Sequence, residues 1–292
     1  FGAGSDGYPE LFGKRLNCTI YNWAWSGSHA FYDKDGDAFD AGTVRALSMT
    51  NADLAAGLAT YGASSAYYGA SSAYDDSFNL VTKASEMTTE YRIKAQFVAN
   101  PNISVVMLDH NHNDRLNTVA YTANDKVISV AAIGTTTTFT VDNVTGLAVG
   151  DGCYVEVIGI DNLNYAAGRI QSITSNDVEV AIDSTGYTGS FTSGTLKWVD
   201  RNTINGAWDF LIAYIKNMSI VYGDGNINIV LCNSPSNYTN NLDPDFPIWS
   251  AGKAIAGVAV NWNLSYYDVA HDLEITYHDQ LVYLEDGVHP TT

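Results

Sequence analysis

Between residues 118 and 201 the texture of the chain changes. The runs KVISVAAIG, TTTFTV, GCYVEVIGI, AGRIQSI, DVEVAI and GTLKWV succeed one another, each short and alternating, and are divided by Gly, Asn and Asp. In an extended chain successive side chains point to opposite faces, so alternation of this kind gives a strand with one apolar and one wet side. A series of such strands separated by turn formers predicts a small all-β module.

The flanks read differently. YPELFGKRL (8–16), SEMTTEYRIKAQFVA (85–99), INGAWDFLIAYIKNMSIVYG (204–223) and SAGKAIAGVAVNWN (250–263) carry helical patterns, and in the third Trp208, Leu211, Tyr214, Ile215 and Met218 share one face. CTIYNWAW (18–25), ISVVMLDH (103–110), INIVLCNS (227–234) and YYDVAHDL (266–273) read as strands. The near-continuous apolar run at 103–110 is what a strand buried on both faces of a parallel sheet requires. Helix and strand in alternation predict an α/β domain. Its two parts are residues 1–117 and 202–292, interrupted by the β-rich insertion 118–201. The stretch from Asp33 to Ala84 is polar and Gly/Ser-rich, with YGASSAY at 61–67 repeated at 68–74. Two copies are too few for a solenoid and predict a loop or short helical excursion.

Charge narrows the partners. The net charge is −18, so the chain has little with which to neutralise phosphates, and nucleic acid and anionic membrane surfaces are excluded as partners. No apolar run reaches membrane-spanning length, and no membrane insertion is expected. The 19 Tyr and six Trp residues, among abundant Asn, Ser, Thr and Gly, suit an extracellular or virion-associated surface that handles sugars. Of three cysteines, Cys18 and Cys232 lie in apolar strand-like runs and are expected as buried free thiols. YDKDGDAFD (32–40) places Asp33, Asp35 and Asp37 around Gly36 but lacks the distal Glu of a calcium loop. No metal or cofactor is expected.

The chemistry concentrates at three places. Near the carboxyl end stands Asp286-Gly287-Val288-His289-Pro290. A serine hydrolase needs a His to take the serine proton and a carboxylate to orient the imidazole, and a tight loop brings two such residues to one cleft. LDHNHND (108–114) comes after an apolar strand, and the carboxyl ends of strands are where α/β sheets present binding groups. Asn113 offers an amide N–H to an oxyanion there. YNWAWSGS (21–28) runs into Gly27, whose backbone N–H meets no side chain of its own when a substrate approaches.

In this order, Gly27, Asn113 and then Asp286 with His289, the blocks resemble those of the SGNH (GDSL-like) hydrolase family. The resemblance covers most of the chain outside the β insertion. It implies a three-layer α/β/α fold on a parallel sheet and serine-dependent ester hydrolysis. Asp286 and His289 would complete the triad, Gly27 and Asn113 would form the oxyanion hole, and Asn111 and His112 would contact substrate. Asn111 stands where the family has Gly, and no Gly-Asp-Ser block comes after a first strand. Ser5, in GAGSDG, has no apolar strand before it and lies too close to Gly27, so the nucleophile is expected N-terminal to Phe1.

The function expected is O-deacetylation of an acylated polysaccharide, capsule or lipopolysaccharide, by a protein similar to the enzymatic tail spikes of bacterial viruses, with a homotrimer as the expected assembly. The alternative is a non-catalytic carbohydrate-binding or structural virion or surface protein on the same scaffold. A lysophospholipase-type esterase fits less well, because the charge is high and no apolar lid is evident.

Overall fold

The computed structural model describes residues 15–20, 89–108, 120–201, 203–233 and 248–268. Within them the alternating runs become strands β2 (Lys126–Ala132), β3 (Thr137–Val141), β4 (Gly152–Ile158), β5 (Ala167–Thr174), β6 (Asp177–Val180) and β7 (Ser193–Val199). They close into a barrel in the order β2-β3-β6-β5-β4-β7, antiparallel at each pairing. Closure gives every strand two neighbours and leaves no unpaired edge. Register shifts at Ile128/Val130 and Ile170/Ser172 supply local bends of the kind closure uses. Alternate residues turn inward, as Thr137, Phe139 and Val141 do on β3. Phe139, Val155, Val178, Val180 and Leu196 fill the interior, and a 3₁₀ turn at Asp161–Leu163 adds the fully buried Leu163.

Around the barrel in sequence lie β1 (Val105–Leu108), β8 (Asn228–Cys232) and β9 (Ser265–Tyr267), which form a parallel sheet in the order β1-β8-β9. Among the described residues α1 (Thr89–Ala99), α2 (Ile204–Tyr222) and α3 (Ile248–Trp262) accompany it. The chain passes from β1 to β8 through the whole barrel and α2, and from β8 to β9 through α3. Helix α2 is buried on nearly every side: Ile204, Trp208, Phe210, Leu211, Ile212 and Ile215 are all inaccessible or nearly so. A helix buried to this extent belongs in an interior, and α2 lies between the barrel and the parallel sheet. One apolar cluster joins Ile93 and Phe97 of α1, Trp208 and Ile212 of α2, Ile255 of α3, and the inward side chains of the sheet, Val106, Leu108, Ile229 and Leu231.

The expected three-layer α/β/α domain is not what these residues build. Among the described residues the larger sheet is the six-stranded antiparallel barrel, and the parallel sheet has three strands and three helices. The reason is visible on β1. A strand buried on both faces would hide all four of its apolar side chains, but Val105 and Met107 are 53% and 45% exposed while Val106 and Leu108 are buried. A continuous apolar run does not by itself mean burial on both faces. The thiols also divide differently: Cys232 and Cys153 are buried, whereas Cys18, expected inside, is exposed.

The joint between barrel and helix is tight. Thr203 caps α2 by accepting the Gly206 N–H on Oγ1 at 3.1 Å. Gly206 presses on the preceding turn so closely that a Cβ there would sit 2.1 Å from the Asp200 carbonyl oxygen. Arg201 lies over the Phe210 ring, 3.8 Å from its centroid. Farther along α2, the buried Asn217 donates from Nδ2 to the carbonyls of Asn162 and Asn164 at 2.8 and 2.9 Å, pinning the barrel's 3₁₀ turn to the helix.

Candidate functional site at the carboxyl edge of the parallel sheet

Two of the parallel strands, β8 and β9, end side by side, and the residue after each is polar. After β1 the chain continues into Asp109 and the segment that carries Asn113. After β8 comes Asn233, and after β9 comes Asp268. Asn233 is 2% exposed. Its Nδ2 donates to Asp268 Oδ1 at 2.6 Å, and its backbone N–H points at the Tyr267 carbonyl at 3.4 Å. The central strand thus fixes the carboxylate of its neighbour. Helix α3 comes down over this pair at Gly252, where an added Cβ would lie 3.1 Å from Asn233 Nδ2 and 3.5 Å from the Tyr266 hydroxyl. The edge offers a half-buried carboxylate held in a set direction, able to accept a hydrogen bond from an imidazole or a substrate hydroxyl.

A second half-buried carboxylate lies at the seam with the barrel and does a different job. Asp209 of α2 accepts the Tyr121 hydroxyl on Oδ2 at 2.8 Å and the Trp262 indole N–H on Oδ1 at 2.7 Å. Burial raises its pKa above the usual carboxylate range, and the two donors oppose that rise. Burial foremost, with Asp209 adding to it, also raises the hydroxyl pKa values of Tyr121 and Tyr154. With both oxygens engaged, Asp209 anchors α3 and the strand-side Tyr121 to α2. Trp262 packs tilted against Tyr154 and Tyr165 at 5.5 and 5.9 Å between centroids. The Lys216 ammonium sits over Trp262 and Tyr165 at 4.9 and 5.1 Å, its pKa lowered chiefly by burial.

Gly27, Asn111, His112, Asn113, Asp286 and His289 lie outside the described residues, as do Ser5 and all six histidines. Among the described residues no group of three or more His, Cys, Asp or Glu side chains is placed to hold a metal, and no helix is long and apolar enough to cross a membrane. Sequence reasoning missed Asn233 and Asp268. Each is the first polar residue after an apolar strand run, which is the available signal. The strand expected over 266–273 runs past Asp268 and so hides the true end of β9.

No family model matches the chain, and no curated protein matches it. Among solved structures, one crystal structure aligns over 32% of this chain and 46% of its own length, at 18% identity and a TM-score of 0.26. A likeness of that extent carries no argument about fold or activity.

Proposed function

We propose that the protein hydrolyses esters on an acylated polysaccharide at the carboxyl edge of the β1-β8-β9 sheet. The observation that carries this reading is the Asn233–Asp268 pair, held at 2.6 Å beside the strand that leads into the Asn113 segment. Carboxyl edges of parallel strands are where α/β sheets gather catalytic groups. The order of the blocks supplies the roles. A serine hydroxyl attacks the acyl carbon while His289 takes its proton and Asp286 orients the imidazole. The tetrahedral oxyanion is met by the Gly27 and Asn113 N–H groups. Collapse expels the sugar hydroxyl, which takes the proton back from His289. Water, deprotonated by the same imidazole, then releases the acid and frees the serine. Asn111 and His112 contact the sugar. Trimeric assembly at an extracellular or virion surface belongs to the same reading.

Two measurements test it. Fluorophosphonate labelling and peptide mass spectrometry together locate the nucleophile, and acetate release is measured on p-nitrophenyl acetate and on an acetylated polysaccharide. His289→Ala is expected to lower turnover by at least about a thousandfold and Asp286→Asn by a comparable factor. Unchanged turnover in either variant overturns the reading. Sugar binding without labelling or turnover would favour the non-catalytic alternative, which Asn111 in place of the family's Gly supports.

A further inference from the structure

We infer that the barrel carries its own saccharide-binding groove, centred on Tyr165 and separate from the carboxyl edge. The inference rests on the polysaccharide reading above and adds where the chain of sugars is held. A cleft of about 440 Å³ runs along β4 and β7 and is lined by Glu156, Ile158, Asn164, Tyr165, Ser193 and Thr195. A second cleft, of about 360 Å³, meets it at Val157 and Asn164 and continues past Asp161 toward Asp224 at the end of α2. Each falls in the size range of small-ligand sites, and together they suit an extended oligomer.

Three features say what the occupant is. Tyr165 is a bulky residue held at φ 61°, a left-handed conformation such residues rarely adopt, and its N–H is tied to the Val155 carbonyl at 2.7 Å. Strain of this kind persists where the surroundings enforce a side-chain position. The ring it positions packs against Trp262 and has the Lys216 ammonium over it, so its orientation is fixed. Around it stand a carboxylate, an amide and two hydroxyl side chains, with Ile158 65% exposed at the rim. An aromatic platform with an apolar neighbour and convergent hydrogen-bonding groups matches the C–H faces and hydroxyls of a sugar.

Competing occupants fit less well. Lys197 lies 3.9 Å from Glu156 but is bonded to Asp125 at 2.6 Å, and Asp161 and Asp224 line the second cleft, so carboxylates outnumber lysines there and an acidic ligand is disfavoured. Strand addition by a peptide is blocked because the barrel is closed. Gly194 forms part of the floor, and a Cβ there would strike Val157 Cγ1 at 2.8 Å on the core side of the strand, so glycine is required for the barrel to pack beneath the cleft.

The test uses the whole protein on an array of neutral, acidic and O-acetylated oligosaccharides, and then calorimetric titration of the retained glycans. Retention of neutral or O-acetylated glycans is expected. Tyr165→Asn keeps a residue that tolerates the left-handed backbone, and Ser193→Trp fills the cleft from an exposed position. Each is expected to weaken binding at least about tenfold. No retained glycan, retention of acidic glycans alone, or binding unaffected in both groove variants overturns the inference. Groove-dependent binding without ester hydrolysis sinks only the proposed function, whereas hydrolysis without groove-dependent binding sinks only the groove.

Discussion

In the barrel each strand is paired on both sides and its interior is sealed by alternate apolar residues, while among the described residues the parallel sheet has two edge strands and turns Val105, Met107 and Tyr267 outward. The barrel satisfies itself. Among the described residues, the sheet relies on α1, α2 and α3 for one covered face and ends in a line of polar residues. The difference teaches where chemistry can be placed. Closed hydrogen bonding gives a rigid body that presents a surface, and open strand ends give convergent polar groups at one line. Both regions depend on α2, which packs against each.

That dependence gives the largest expected effect. Trp208→Ala opens a cavity at the centre of α2 and is expected to cost about 3–5 kcal/mol. Thermal unfolding monitored by near-ultraviolet circular dichroism should stay a single transition that moves down as a whole. Two separated transitions would break the comparison by showing that barrel and sheet unfold apart. Asp209→Ala comes next. It leaves the Tyr121 hydroxyl and the Trp262 N–H without their acceptor and is expected to cost about 2 kcal/mol in urea unfolding.

The same carboxylate gives a pH dependence with a definite sign. Burial raises its folded pKa above the ordinary 3.8, so the folded state binds the proton more tightly than the unfolded state. Its contribution to stability is therefore largest below pH 3.8 and is lost as pH rises through the folded value. Relative to Asp209→Asn, the wild type should lose stability across the window that opens at about pH 3.8 and extends upward. A difference that grows in the wild type's favour would contradict this burial.

On the sheet side, Asn233→Ala is expected to cost about 1–2 kcal/mol and to lower ester turnover by releasing Asp268. An unchanged turnover with the stability loss would separate that pair from catalysis. The smallest effect belongs to the barrel surface: Lys197→Ala removes the 2.6 Å contact to Asp125 and should shift stability by less than about 1 kcal/mol, and less still in high salt.

Local pattern is readable where neighbours in sequence decide the outcome. The six alternating runs coincide with β2 to β7, and the helical spacing at 204–223 and 250–263 coincides with α2 and α3. The features that escape sequence reading depend on partners far along the chain. Whether ISVVMLDH is buried on two faces is decided by the elements that pack on it, and its alternation of exposed Val105 and Met107 with buried Val106 and Leu108 leaves no trace in a run of apolar residues. Helix α2 shows one apolar face in the sequence, yet Phe210 and Ile212, off that face, are buried too, within the cluster that α2 shares with barrel and sheet. The Asn233–Asp268 contact joins residues 35 positions apart and needs the β8–β9 pairing to exist. The half-buried acid Asp209 reads as an ordinary polar position of an amphipathic helix. The residues named for catalysis fall outside the described residues, so the roles given to Asp286 and His289 rest on their motif.

The contact of Gly206 with the Asp200 carbonyl has a mechanical meaning. Any side chain at position 206 would strike the turn that follows β7, so the seat of α2 on the end of the barrel depends on glycine there.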